Sequence, residues 1–340
     1  MAPHILIIGS GSVGKRHARN LAALGCRISC VDPRTERRAE LAAETPIVGS
    51  HATAEAALRA GGLDGVVVAS PTASHPASTV AALEAGLPVL LEKPVAKTFE
   101  EAWAMHEVQK RTGVPVLLGY TWRWWPPLRR VRALLEEKTI GKLRHVQFHM
   151  SAHLADWHPW EPYQEFFMAS AAQGGGALLD ESHWIDLMLW LFGQPGKVMG
   201  RVEKMSDLEI DSDDNVDALA IYTVDGEVNF RVSLHLDLYG RPHEKFIRFV
   251  GEGGTILWSA DPNRIAVGFE AAQKWNEHVF THERNDMFVA VAKEYLDIVA
   301  GKAEPSCTLL DGVNVMHLIE MIRESHAEDG RAVQVGFAAG

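Results

Sequence analysis

The sequence predicts an α/β chain in two parts, a doubly wound parallel sheet followed by an α+β part built on a mainly antiparallel sheet. Three observations carry this. Continuous apolar runs alternate with helical patterns over the first third, and a glycine-rich turn joins the first run to the first helix. After residue 122 the apolar period shortens to two. With 340 residues, 47% of them hydrophobic and 23% charged, the chain is long enough for about two domains. The expected parts are residues 1–122 and 123–340, with the closing helix (311–325) packing back near the first.

Residues 4–8, HILII, form a short strand that runs into GSGSVG (9–14), and a helical pattern follows to Leu24. CRISCV (26–31) is the second strand, closed by Asp32. GVVVAS (65–70) is a strand, PASTVAALEAG (76–86) a helix and LPVLLE (87–92) the next strand. Thr98 and Glu101 form a capping box before a helix to Thr112, and VPVLLG (114–119) is the strand after it. A helix over 127–137 opens the second part. In VNFRVSLHL (228–236), Val228, Phe230, Val232, Leu234 and Leu236 face one way, and Asn229, Arg231, Ser233 and His235 the other. VDALAIYTV (216–224) alternates likewise, and KFIRFVGEGGTILW (245–258) reads as a hairpin turning at its glycines. Such a sheet is covered on one face and meets solvent or another subunit with the other. GGGALLDESHWIDLMLWLFG (174–193) reads as one largely buried helix entered through glycines.

Composition excludes several classes. A net charge of -11 and a pI near 5.8 argue against nucleic acid, and the short basic patch RWWPPLRRVR (123–132) reads as a solvated helix face. The opening apolar run lacks a basic leader and is too short for a signal peptide; the run over 177–192 is broken by Asp180, Glu181, His183 and Asp186, so no membrane span is expected. Three cysteines make no disulfide framework, and Cys26 and Cys30 on one strand stand roughly 13 Å apart. The expected compartment is the cytoplasm.

Gly9, Gly11 and Gly14 fit a dinucleotide fingerprint: a tight turn, a close backbone approach to pyrophosphate, and a helix packed on its strand. Ser10, Ser12 and Val13 complete that loop. Asp32 lies 18 residues past Gly14, placed for ribose hydroxyls, which favours NAD over NADP; Arg34 and Arg37 soften that preference. Open α/β sheets bind ligands at their carboxyl edge. Ala69, Ser70, Pro71, Thr72 and His75 reach that edge from one strand; Glu92, Lys93 and Pro94 reach it from another. GYTWR (119–123) supplies Tyr120, Trp122 and Arg123 from a third. An acid and a base at the buried end of a strand need a partner or a task. On the long helix, Asp180 and His183 share a face three residues apart. A carboxylate beside an imidazole builds a general base, and a structural pair at a domain junction is the alternative. No metal is expected, since the spacing is not that of a zinc helix.

These segments resemble the Gfo/Idh/MocA family of sugar and cyclitol oxidoreductases over essentially the whole chain. IIGSGSVGKRHARNL is similar to the family's opening fingerprint, LLEKPVAKT to its lysine motif, GGGALLDESHWIDLMLWLFG to its active-site helix and DGVNVMHLIEMIRES (311–325) to its closing helix. The resemblance implies a Rossmann domain and a second domain with a large open sheet, commonly an oligomer surface, hence a homodimer or homotetramer. It implies Lys93 between nicotinamide and substrate hydroxyl, Asp180 in support, and His183 as base. Pro94 fixes the exit of the chain, through a cis bond. Many members hold that aspartate and histidine four apart; the closer spacing and DWHPWEPY (156–163) resemble a branch acting on surface-polysaccharide sugars.

The implied activity is NAD-dependent oxidation of a secondary hydroxyl of a sugar or cyclitol, or the reverse. A hydrolase or lyase with recycled NAD and a non-catalytic nicotinamide and sugar sensor are the alternatives. Five of ten tryptophans lie between residues 122 and 160, and such faces suit either sugar rings or packing where domains meet. Asp156, Trp157, His158, Tyr163 and Arg241, with Arg123, are the candidates for reading hydroxyls.

Overall fold

The computed structural model describes residues 2–157, 159, 161–224, 226–271 and 274–336. The chain forms two compact units, one of residues 1–121 and 284–316, the other of 122–283 and 317–340.

The first unit contains β1 (His4–Ile8), α1 (Ser12–Ala23), β2 (Arg27–Val31), α2 (Thr35–Glu44), β3 (Gly49–His51), α3 (Ala54–Ala60), β4 (Gly65–Val68), α4 (His75–Glu84), β5 (Val89–Leu91), α5 (Phe99–Thr112) and β6 (Val116–Leu118). The strands pair in parallel in the order β3-β2-β1-β4-β5-β6. Ile5, Leu6, Ile7, Val66, Val67, Val68, Leu90 and Leu91 are wholly buried, as expected of strands covered on both faces. Burial of each contributes about 1.5–3 kcal/mol. The order reverses between β1 and β4, so the loops leaving them diverge and open a crevice at the carboxyl edge. The capping box forms with one adjustment. Thr98 Oγ1 accepts from Glu101 N at 3.3 Å, and Glu101 Oε2 accepts from Lys97 N at 3.0 Å, one residue before the cap.

The second unit contains α6 (Pro126–Glu136), β7 (Leu143–Ser151), α7 (Ala177–Asp180), α8 (Ser182–Phe192), β8 (Lys197–Glu203), β9 (Asn215–Val224), β10 (Glu227–Asp237), β11 (Glu244–Gly251), β12 (Thr255–Ala260), β13 (Asn263–Gly268) and β14 (Trp275–Val279). They make a sheet in the order β14-β13-β12-β11-β7-β10-β9-β8, antiparallel except for β7 beside β10. Val146, Phe148, Val232, Leu234, Ile247, Phe249 and Trp258 turn to the covered face, where Trp184 of α8 meets Phe148 and Trp258 edge-on or tilted. Val228 departs from expectation. A register shift between Val228 and Phe230 takes it out of the alternation, and it is 45% exposed.

Past β14 the chain forms α9 (Arg284–Val299), α10 (Leu309–Ala327) and β15 (Val333–Gln334), which pairs with β8. A single cut after residue 122 therefore does not describe the division, because residues 284–316 belong to the first unit. Tyr295 of α9 is the reason at atomic level: its hydroxyl donates to the carbonyls of Val66 and Pro88 at 2.9 and 2.8 Å. A side chain on Gly65 would collide with it at 2.3 Å. The expected long helix over 174–193 is also two. α7 ends at Asp180, Glu181 (φ -91°, ψ 21°) is the joint, and α8 starts at Ser182. Glu181 Oε2 accepts from Trp184 Nε1 at 2.9 Å in the interior, which fixes the joint.

Candidate functional site

In the first unit the glycine loop sits where the sheet order reverses. Gly9 has φ +99°, and a Cβ there would lie 2.5 Å from the Ala69 carbonyl oxygen, so the loops after β1 and β4 touch through a position only glycine fits. A Cβ on Gly14 would fall 1.8 Å from the Gly9 oxygen, whereas one on Gly11 would meet nothing within 4 Å. Helix α1 starts just beyond, with no side-chain cap on its first amides. Tight on two glycines, open on the third and uncapped at the helix, the loop has room and donors for a pyrophosphate. Ser12 is exposed, Val13 half-buried and Ser10 buried, with Ser10 N donating to Asp32 Oδ2 at 3.0 Å. Asp32 is 4% exposed and also accepts from Arg34 N at 3.0 Å, with Arg34 Nε at 3.4 Å. That carboxylate is fixed at the end of β2, beside the Arg34 guanidinium, at a position suited to accept from ribose hydroxyls. The residues present thus fit NAD.

The neighbouring strand end carries Glu92, Lys93 and Pro94, and the Lys93–Pro94 bond is cis. Lys93 is half-buried and its N–H donates to Glu92 Oε2 at 3.3 Å. Glu92 is buried against His17 of α1, whose Nε2 lies 2.6 Å from Oε1. Burial pushes the Glu92 carboxyl up, but the hydrogen bond and charge of His17, then Lys93, outweigh it and hold it below the ordinary range. Gly119 makes room, since a Cβ there would stand 3.0 Å from the Glu92 carboxyl carbon. After β4, Pro71 is exposed, Thr72 is buried in a short turn, and Ser70 Oγ has no hydrogen-bond partner among the described residues. His75 was expected to hold the cofactor. It is 1% exposed, with Nδ1 at 2.8 Å from the Pro94 carbonyl and Nε2 at 2.8 Å from the Ser70 carbonyl, so both nitrogens are enclosed by backbone, and the neutral ring donates to one of the two carbonyls. Burial pushes this ring down, against the pull of the two carbonyls. Tyr120, a substrate candidate, is wholly buried in this unit.

In the second unit Asp180 closes α7, 3% exposed, and half-buried His183 stands in the first turn of α8. They flank the Glu181 joint and do not share one continuous helix. Asp213, which sequence reading missed, starts α7: its backbone oxygen accepts from Ala177 N at 2.9 Å and Oδ2 from Leu178 N at 2.8 Å. Gly176 (φ +110°) faces it, and a Cβ there would be 2.3 Å from Oδ1. The only sequence signal was an acidic run in DSDDN (211–215). Arg123 departs from its expected role. Its Nε and Nη2 bind the Asp186 carboxylate at 2.6–3.1 Å, with the two side chains 6% and 0% exposed. Trp122 packs against Trp125, Trp184 and Trp258 with ring centres 5.5–6.4 Å apart, so for it packing prevails over a free stacking face.

The remaining candidates lie on loops. Asp156 and Arg241 grip each other with two 2.7 Å hydrogen bonds, and His243 Nε2 is 3.3 Å from Asp156. The hydrogen bonds from Arg241 hold the Asp156 carboxyl down at about 2. Trp157 donates to the Ala152 carbonyl at 3.3 Å and Tyr163 Oη accepts from Glu209 N at 3.2 Å. His158 lies outside the described residues. Among the described residues, no helix is long and apolar enough to cross a membrane, and no cluster of three or more His, Cys, Asp or Glu could hold a metal ion.

Comparison with known proteins places both parts. Residues 4–120 match the model of an oxidoreductase family with an NAD-binding Rossmann fold, and residues 128–257 match the GFO/IDH/MocA C-terminal domain. The rhizopine catabolism protein MocA of Rhizobium meliloti is 34% identical over 55% of this chain and 56% of its own, so the matched stretch spans about half that relative. D-apiose dehydrogenase of Rhizobium rhizogenes is 24% identical over 97% of this chain and 96% of its own. A levoglucosan dehydrogenase structure holding NADH and levoglucosan has the same fold, with a TM-score of 0.86 at 20% identity over 98% of this chain and 100% of that one. With the glycine loop, the lysine at a strand end and the aspartate and histidine at a helix joint all under these two matches, the chain belongs to the Gfo/Idh/MocA family of oxidoreductases and carries its NAD-binding Rossmann domain.

Proposed function

We propose that the protein oxidises a secondary hydroxyl of a sugar, sugar derivative or cyclitol, or reduces the corresponding ketone, with NAD as the partner. The observation that carries this is Lys93 at the end of β5, on the same sheet edge as a glycine loop and a buried Asp32 that fit the cofactor. Relatives named for inositol, levoglucosan and D-apiose oxidation support the substrate class. Bound NAD supplies the hydride acceptor. The Lys93 ammonium holds the substrate oxygen as negative charge develops there, a preorganised electrostatic role. His183 takes the hydroxyl proton and Asp180 sustains its basicity. Asp32 selects NAD over NADP. The first unit, residues 1–121 with 284–316, acts in cofactor binding, and the second acts in substrate binding and assembly.

We assign the outer face of the second unit's sheet to a second copy of the chain. His145, Arg231 and Arg248 are exposed at one end of that face, and Asp217 and Glu244 at the other, so two copies set with those ends reversed bring unlike charges together. All three cysteines are free thiols, in keeping with a cytoplasmic setting.

The test mixes protein and NAD with myo-inositol, scyllo-inositol, levoglucosan and D-apiose, and follows NADH absorbance and substrate mass together. Loss of one compound matched by NADH is the expected outcome. Loss without NADH would mean the hydride is returned, as in a hydrolase or lyase. Binding of NAD with no turnover of any compound would favour a sensor.

A further inference from the structure

Lys93 stands between two residues that are each met by a buried histidine. Before it, Glu92 is bound by His17 Nε2 at 2.6 Å, with the His17 side chain wholly buried and that of Glu92 9% exposed. After it, the Pro94 carbonyl is 2.8 Å from His75 Nδ1, and the other nitrogen of that ring reaches the Ser70 carbonyl. His17 belongs to α1, the helix that follows the glycine loop, and His75 opens α4, just after the loop leaving β4. His17 therefore ties Glu92 to α1, and the buried His75 ring is wedged between the Pro94 carbonyl and the Ser70 loop.

Packing does not account for this arrangement. Among the described residues His17 Nδ1 is buried without a hydrogen-bond partner, and the bond the ring makes there is to Glu92. An apolar side chain of similar volume would fill the space against Phe288 without leaving a polar atom idle. Buried polar pairs seldom add net stability over apolar replacements. What the pair does supply is a fixed carboxylate that receives the Lys93 amide at 3.3 Å. A lysine stem is long and flexible, so aiming its ammonium requires that its backbone be held on both sides.

We infer that His17 and His75, with Glu92, are positioning residues that bracket Lys93 and set it against the glycine loop and the Ser70 loop. This rests on the reading of Lys93 as the group at the reacting oxygen. The experiment uses the full chain and reads Lys93 in two ways. One is trinitrophenylation of the lysine amine by trinitrobenzenesulfonate, with sulfite leaving, scored by peptide mass spectrometry against Lys97 as internal reference. The other is kcat with whichever compound of the panel the wild-type protein oxidises, beside NAD affinity by calorimetry. His17→Ala is expected to change the Lys93 to Lys97 ratio severalfold and to lower kcat about 10- to 100-fold, the penalty of an ångström-scale misplacement, with NAD affinity near wild type. His17→Gln, whose amide nitrogen reaches where Nε2 stood, restores both readouts. His75→Asn, which mimics Nδ1, restores more than His75→Gln. His17→Met keeps the volume and removes the donor, and replaces the alanine variant if that variant does not fold. Equal behaviour of His17→Gln and His17→Met, or an unmoved arylation ratio in both, overturns the bracket. Full turnover by Lys93→Ala would instead overturn the catalytic assignment of Lys93, and the arylation ratios would still decide the bracket.

Discussion

The Arg123 guanidinium is committed to Asp186 inside the second unit through three contacts of 2.6–3.1 Å. Removing one partner of such a pair strands the other charge in the interior, which costs about 3–5 kcal/mol. Arg123→Met is therefore expected to lower the thermal midpoint sharply in circular dichroism, and Arg123→Met with Asp186→Leu to recover most of the loss. A substrate-reading arginine would behave otherwise, raising KM at an unchanged midpoint. Asp156 and Arg241 pair on exposed loops, so their contribution is small. Its sign follows from the depressed Asp156 value: the contribution is present above the ordinary carboxylate range and is lost only as pH falls toward about 2. Sequence reading singled out Arg123, Asp156 and Arg241 but not the pairs they form, because their partners lie 63 and 85 positions away.

At the scale of elements, what was legible depended on how far apart the determining residues stand. The cap of α5 was readable because Thr98 and Glu101 are neighbours. The start of α7 was not, because Leu178 donates to Asp213, 35 positions on. Asp213→Ala removes that acceptor, which costs about 1 kcal/mol of the kind lost with a helix cap. Urea unfolding should show this modest loss, with a larger fall in kcat since α7 carries Asp180 and leads to His183. Asp213→Asn keeps a capping oxygen and should retain most activity. A kcat that falls no further than stability explains would remove Asp213 from the support of this helix. The break at Glu181 was equally hidden: the apolar pattern continues through it, and only the bond to Trp184 marks the joint.

At the scale of the whole molecule, the outer face of the second unit's sheet carries the remaining prediction. Ile221 stands on that face opposite Arg231 and is half-buried. Ile221→Glu places a charge there without touching the covered face, and sedimentation should report a smaller assembly than wild type at unchanged helix content. An unaltered mass would move assembly elsewhere or remove it. The sequence by itself determined the parallel sheet with its glycine loop, the period-two strands, Asp32 and the lysine at the strand end. All of these are written in neighbouring residues and in the periods of helix and strand. Only the tertiary structure decided that residues 284–316 belong to the first unit, that His75 is enclosed between two carbonyls, that Arg123 is consumed by Asp186, and that His17 holds Glu92 from 75 positions away. The physical reason is that burial removes water as a partner. Each buried polar group must then bond whatever the fold brings beside it, and chain order does not say what that will be.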